Sequence, residues 1–164
     1  MSEQPAIVGA HAFLRGMPRS QVAQLAALAR HVSLPAQHRM FEEGMAAHSF
    51  WLIDAGQVAV DVLVPGRGRI TIDMLGRGDL LGLSWMVPPY LWEYGAITTQ
   101  PMQAFEFDAA AVRAACAQDP ALGYEFMVRM MAVAARRLQA TRARLISLST
   151  AEAADTAPLH SNTG

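Results

Sequence analysis

Residues 31–108 constrain the fold most, because they consist of short apolar runs that Gly, Pro or Asp residues interrupt every few positions. Residues 58–62 (VAVDV) alternate valine with alanine and aspartate, which is typical of a half-buried strand. The segment PGRG at 65–68 separates this run from ITIDM, as expected for a hairpin connection. Strands at this spacing predict an antiparallel barrel or jelly roll.

Helical patterns flank this region on both sides. Residues 18–30 (PRSQVAQLAALAR) place apolar side chains at three-residue spacing, which predicts a short amphipathic helix. Asp108 can cap a helix over AAAVRAACA, and Asp119 followed by proline begins a second helix that we expect to end near Leu148. The predicted class is α+β: an antiparallel β jelly roll or barrel at about 31–108, an N-terminal helix and a long C-terminal helix at about 120–148.

The composition indicates a globular protein of one domain, over residues 1–150, with a small polar tail at 151–164 that we expect to be disordered. The net charge of −1 gives no general attraction to nucleic acid. Cys116 is the single cysteine, so neither an internal disulfide nor an iron–sulfur cluster is expected. The sequence shows no signal peptide and no apolar run near the ~20 residues that span a bilayer, so we expect a cytoplasmic protein without membrane contact.

The long C-terminal helix carries an apolar stripe whose members are spaced alternately three and four residues apart, as in a coiled-coil seam. A helix of this length extends beyond what a small barrel can cover, which favours a homodimer through this helix over one broad face buried within a monomer. The arginines on either side of the stripe are interpreted as a solvent-exposed face of the same helix. The stripe consists of Tyr124, Met127, Met131, Ala134, Leu138, Thr141, Leu145 and Leu148.

Four motifs occur in a fixed order along the chain: FEEG at 41–44, the strand pair within 50–60, GRGDLLG at 76–82 and ARRLQAT ending at Thr141. This ordered set resembles the cyclic-nucleotide-binding domain of the Crp/Fnr (catabolite activator protein-like) family. The resemblance covers roughly residues 10–148 and implies a regulatory sensor domain in signal transduction, dimeric through the long helix, rather than an enzyme.

The phosphate-binding cassette departs from the family pattern. In the family a segment like F-G-E-x-A-L follows the Gly-Asp turn, and an Arg-x-Ala comes some ten residues later. The glutamate accepts from the ribose hydroxyl and the arginine pairs with the cyclic phosphate. Here Leu83 stands at the glutamate position and Tyr94 at the arginine position, and no arginine lies between Arg77 and Arg113. The departures imply weak or absent cyclic nucleotide binding in the usual way.

The sequence is compatible with two conformations of the loop at this altered pocket. The aromatic loop at 85–94 could line a site for an apolar small molecule, or it could collapse inward and fill the space, which we favour slightly. A genuine cyclic nucleotide-binding regulator that uses backbone amides is the alternative function; no other cofactor is expected. The candidate pocket residues are Gly82, Leu83, Ser84, Trp85, Tyr94, Gly95, Ala96 and Thr141.

A cupin-like jelly-roll metalloenzyme is the rival from another class. Such sites need a His-x-His pair with a nearby glutamate, and none of the five histidines forms that pair. The polar residues His38, Glu42, Glu43 and His48 surround a glycine turn, where a solvated turn is favoured over a metal site. We therefore expect no catalytic residues and no metal.

The family's usual output is a helix-turn-helix domain, and only 16 residues follow Leu148. We therefore expect no direct sequence-specific DNA binding by this chain, and a regulatory protein partner is the alternative route of action. The sequence is also compatible with a piece of a longer transcription factor.

Overall fold

The structure, a computed structural model, describes residues 4–155. Its eight strands form two antiparallel sheets, in the orders β1-β8-β3-β6 and β2-β7-β4-β5. This arrangement confirms the predicted α+β jelly roll. The elements in chain order are α1 Gln4–Gly9, α2 Arg19–Ala27, β1 Ala29–Leu34, β2 Arg39–Phe41, β3 Ser49–Ala55, β4 Val58–Val64, β5 Gly68–Leu75, β6 Leu80–Leu81, a 3-10 turn Ser84–Met86, β7 Gly95–Thr98, β8 Met102–Asp108, α3 Ala109–Gln118 and α4 Pro120–Asp155.

The chain divides into two compact units, Met1–Arg129 and Met130–Gly164. The first holds both sheets, and its core is built where β3 and β8 pair. Phe50 and Phe107 lie opposite each other in that ladder and stack with ring centroids 4.8 Å apart. The second consists, in its described part, of the rest of α4. No helix in residues 4–155 is both long enough and apolar enough to cross a membrane.

The alternation of strand β4 is less regular than the sequence predicts. Val58 and Ala59 are both buried, and the side chain of Asp61, expected on the polar face, is only 5% exposed. The register with β5 shifts between Val60 and Asp61, which breaks the two-residue period. Asp61 tolerates burial because arginines from two other strands pair with it, as described below.

The GRGD turn is built as its residue types require. Gly78 has a φ of +90°, a conformation that favours glycine. The carboxylate of Asp79 accepts from the amide of Gly76 at 2.9 Å and so closes the turn. Both the amide of Gly78 and the carbonyl of Asp79 bond to the backbone of Ile53 in β3. The turn therefore fixes where the following segment leaves the sheet.

The predicted helix starts are confirmed at both C-terminal helices. Asp108 accepts from the amide of Ala111 at 2.7 Å, and Asp119 accepts from the amides of Ala121 and Leu122 at 3.1 Å each. These hydrogen bonds lower the pKa of Asp119, that from Leu122 being the largest cause.

Two helix ends differ from the predictions. Helix α2 ends at Ala27 rather than at residue 30, because Ala29–Leu34 pairs with β8 instead. Helix α4 continues to Asp155, past the predicted end near Leu148, so residues 151–155 of the expected disordered tail are helical. Residues 156–164 of that tail lie outside the described residues.

The segment after α1 ties β3 to the first turns of α4. The buried His11 ring bonds through Nε2 to the carbonyl of Ile53 at 3.0 Å, and its Nδ1 accepts from the amide of Phe13 at 3.2 Å. Arg129 donates to the carbonyls of Phe13 and Arg15 at 3.0 and 2.9 Å. Because Nδ1 must be an acceptor, the ring fits this place only when it is neutral.

We expect acid to weaken the fold through His11. Burial is the largest cause of its lowered pKa, so the unfolded chain takes up the proton before the folded one does. Stability is thus fully present above the ordinary value of 6.5 and falls as pH drops below it, with a slope approaching about 1.4 kcal/mol per pH unit. Denaturant unfolding at pH 7.5 and 5.5 measures this loss.

His11→Leu should unfold with a smaller difference between these two pH values than the wild type does. His31→Leu is the matched control, because His31 is exposed and should leave the difference unchanged. An equal pH dependence in wild type and His11→Leu would contradict the assignment.

Candidate functional site

The candidate site is the segment of residues 82–96, here called the cassette segment, which joins β6 to β7. It opens with Gly82 at a φ of +95°, passes through the 3-10 turn Ser84–Met86 and reaches a cis peptide bond between Pro88 and Pro89. Strand β7 then begins at Gly95. The GRGD turn and the short strand β6 therefore fix where the segment begins.

Trp92 lies directly against Gly82. A Cβ atom placed on Gly82 would come within 2.9 Å of the Trp92 ring. Glycine is therefore needed there for two reasons: the positive φ of the backbone and the absence of a side chain. The Trp92 ring is 5% exposed and stacks on Phe41 of β2, with centroids 3.8 Å apart. The second tryptophan of the segment therefore packs inward and covers the glycine that begins it.

Trp85 is the other inward anchor. Its side chain is 2% exposed, stacks on Phe50 with centroids 4.6 Å apart and meets the edge of Phe126 at 6.0 Å. Among residues 4–155 its indole nitrogen has no hydrogen-bond partner. A buried N–H without an acceptor, such as this indole group, is uncommon in folded proteins.

Hydrogen bonds and one cation–π contact hold the residues on both sides of the exposed stretch 87–89. The amide of Trp92 donates to the carbonyl of Met45, and the amide of Ala47 donates to the carbonyl of Tyr90. Arg113 of α3 donates from Nη1 to the carbonyl of Trp85 at 2.7 Å, and its guanidinium lies 4.5 Å from the centroid of the Tyr90 ring. Residues 87–89 between these contacts are exposed.

A cluster of four charged side chains lies beside Gly95, where a Cβ atom would come within 2.6 Å of the Asp61 carboxylate. Arg39 bonds Asp61 at 2.7 Å. Arg69 bonds Asp61 at 3.1 Å and Glu42 at 2.7 Å. With two arginines and two acids the cluster is neutral, and the guanidiniums of Arg39 and Arg69 each face a carboxylate.

The predicted pocket residues occupy different environments. Gly82, Trp85, Gly95 and Ala96 are buried, and Leu83 and Ser84 are partly buried. The Tyr94 side chain is 44% exposed. Thr141 belongs to the second unit, where it is exposed and its hydroxyl donates to the carbonyl of Arg137 at 2.9 Å.

Sequence reasoning missed two parts of the site. It grouped Trp92 with the rest of the loop and did not pair it with Phe41, which comes from another strand. It also missed the charge cluster, although Arg39 and Glu42 are three residues apart and Asp61 interrupts an apolar strand.

The metalloenzyme alternative receives no support from the described residues. Nowhere in residues 4–155 do three histidine, cysteine, aspartate or glutamate side chains gather as a metal site requires. Of the suspected set, Glu42 is engaged with Arg39 and Arg69.

Comparison with known proteins agrees with the observed fold. The family model described as the cyclic nucleotide-binding domain matches residues 31–119, which is more than half of the chain. No curated protein sequence gives a match.

Solved structures share the fold at low sequence identity. A putative cyclic nucleotide-binding protein from Geobacter metallireducens is 22% identical with a TM-score of 0.74, over 84% of this chain and 99% of that one. A cyclic nucleotide-binding domain from Methylobacillus flagellatus is 21% identical with a TM-score of 0.75, over 88% and 82%. The catabolite activator protein of Thermus thermophilus is 19% identical with a TM-score of 0.68, over 84% of this chain and 63% of that protein.

Proposed function

The chain belongs to the cyclic nucleotide-binding domain family, and from that premise we propose that it is a non-enzymatic sensor domain that does not bind cyclic nucleotides in the family's usual way. One observation carries the proposal: within the cassette segment, to which the resemblance assigns nucleotide binding, the buried Trp92 ring packs against Gly82. We expect this packing to compete with a bound nucleotide for the same stretch of backbone.

The charges of the segment point the same way. Residues 82–96 contain no arginine or lysine, and Glu93 is their single charged side chain. The guanidiniums of Arg39 and Arg69 lie near Gly95, but Asp61 and Glu42 already neutralise them. A cyclic phosphate beside Gly95 would lose its water and find both arginines already paired, which is unfavourable.

Calorimetry with cyclic AMP and cyclic GMP should therefore show no binding tighter than about 100 μM, which corresponds to about 5.5 kcal/mol. We expect this weak affinity because Leu83 and Tyr94 stand where the family has the glutamate and the arginine. Low-micromolar binding by the wild type would show that the segment works differently.

Restoring the lost side chains tests the same idea in the other direction. Leu83→Glu combined with Tyr94→Arg should raise cyclic AMP affinity by at least tenfold, because a charge-assisted contact is worth about 1.5–3 kcal/mol. The matched control is Leu83→Gln with Tyr94→Met, which has similar side-chain sizes without the charges. Equal affinities in the two double variants would count against the cassette assignment.

A genuine cyclic nucleotide regulator is the second candidate, because the partly exposed Arg69 could leave Glu42 and meet a phosphate. If the wild type does bind, Arg69→Met separates two mechanisms. Loss of binding would assign the anchor to Arg69, whereas unchanged binding would assign it to backbone amides.

We also propose that two copies associate through α4. Its a/d stripe is largely exposed in a single chain: Tyr124, Met127, Met131, Leu138, Leu145 and Leu148 all have exposed side chains. Exposed large apolar side chains at heptad spacing are typical of a helix that pairs with another helix. A regulatory protein partner remains the other occupant that the stripe could accept.

A further inference from the structure

We propose that α4 pairs preferentially with an acidic helix of a partner protein, which takes the place of a second copy of this chain on the a/d stripe. The inference rests on the proposed function in one respect: it takes that stripe as an interface. It goes further because it names the chemistry of the partner, an amphipathic helix whose apolar seam is bordered by glutamate or aspartate.

The positions beside the stripe carry positive charge. With the stripe at heptad positions a and d, the flanking positions e and g between 137 and 149 hold Arg137, Arg142, Arg144 and Ser149. Arg142 and Arg144 are exposed, and Arg137 is partly buried. No acidic residue occurs from 126 to 151. This part of α4 therefore presents leucines bordered by arginines to whatever binds it.

Self-association places like charges opposite each other. In a parallel pair of helices, position g of one heptad faces position e of the next heptad in the other helix. Arg137 of one copy would therefore face Arg142 of the second copy, and two-fold symmetry makes this happen twice. Like charges at these positions weaken a pair, and opposite charges select the partner. A helix with acids at the two facing positions would keep the apolar contact of Leu138 and make both pairs attractive.

The leucines of the stripe favour a protein helix over a nucleic acid as the occupant. Leu138, Leu145 and Leu148 are all exposed in a single chain. A nucleic acid backbone would meet the arginines and leave these leucines in water, whereas an amphipathic acidic helix would cover both. The net charge of −1 on the whole chain also gives no general attraction to nucleic acid.

Three labelled peptides of residues 124–148, titrated with the full chain and followed by fluorescence anisotropy, test the chemistry of the partner. The first has the native sequence. The second carries Arg137→Glu and Arg142→Glu, so its acids face the arginines of the chain. The third carries Arg129→Glu and Arg136→Glu, which gives the same net charge with the acids at position f, away from the seam. At about 50 mM salt the second should bind about tenfold more tightly than the other two, since two repulsive pairs become attractive.

The dimer of the full chain gives a second readout, measured by sedimentation. Arg137→Glu should tighten this dimer about tenfold at low salt, because the new carboxylate faces Arg142 of the second copy. Its dimer should weaken as salt rises, whereas the wild-type dimer should tighten because salt screens the facing arginines. Arg136→Glu at position f is the matched control and should leave the wild-type behaviour unchanged.

The possible results separate this inference from the proposed dimer. Equal and measurable binding of all three peptides would leave the dimer intact and overturn the acidic partner. Equal binding of the second and third peptides would reduce the effect to net charge and overturn it as well. So would displacement of the second peptide by a DNA duplex of random sequence, because the arginines would then bind a phosphate backbone. A monomeric wild type to which no peptide binds would overturn the stripe as an interface, and with it both proposals.

Discussion

Trp85→Ala should destabilise the protein by about 3–5 kcal/mol, since truncating a buried tryptophan leaves a large cavity in a packed core. The Trp85 ring stacks on Phe50 and meets Phe126, so its removal weakens a cluster that joins β3 to α4. Denaturant unfolding of the wild type and the variant at equal protein concentration gives the difference directly.

Trp85→Phe is the informative partner of this variant. Phenylalanine keeps a ring against Phe50 and removes an N–H that has no acceptor among the described residues. Because an unpaired buried donor costs about 1–3 kcal/mol, its removal should offset much of the lost contact area. We expect Trp85→Phe to keep most of the wild-type stability.

The Trp85 variants also test whether the cassette segment fills its own pocket or binds a small apolar molecule. If the segment fills its own pocket, small apolar molecules should change neither tryptophan emission nor dimer affinity in the wild type. If a ligand does bind, it can shift the dimer only by its different affinities for the two states. A Trp85→Ala protein that stays fully stable and ignores every ligand would contradict both versions and leave the loop as a surface for another protein.

The parts of the fold that sequence predicts well are those set by neighbouring residues. Asp108 and Asp119 cap helices through amides two or three positions away, and the side chain of Asp79 closes a turn onto Gly76. Such contacts depend on local spacing, which is visible in one sequence. The jelly roll follows because many short strands separated by these turns have few ways to bury their apolar faces.

The parts that escape prediction depend on distant residues. Asp61 looks like the outward member of an alternating strand, but it is buried because Arg39 and Arg69 arrive from β2 and β5. Trp92 could have lined a cavity, and only the stacking on Phe41 decides that it packs inward. Phe41 and Arg39 come from another strand than the residues they contact, and Arg69 reaches Asp61 only because the β4–β5 hairpin folds back, so periodicity alone misplaces Asp61 and leaves Trp92 undecided.

Leu138→Glu should convert the proposed dimer into monomers. In a parallel two-fold pairing of residues 124–148, Met131, Leu138 and Leu145 stand at the centre of the seam, so the variant places two carboxylates against each other in a dry interface. An uncompensated buried charge costs about 3–5 kcal/mol, which corresponds to a dimer at least 100-fold weaker. Sedimentation at tens of micromolar measures the change.

Gln139→Glu is the matched control, because it adds the same charge one position away, outside the a/d stripe, and should leave the dimer intact. A monomeric wild type at these concentrations would contradict the pairing. The Leu138 side chain is 52% exposed in a single chain, so folding of one copy does not account for a leucine there. Such a monomer would instead leave the stripe to a regulatory protein partner, and Leu138→Glu would then abolish that contact rather than self-association.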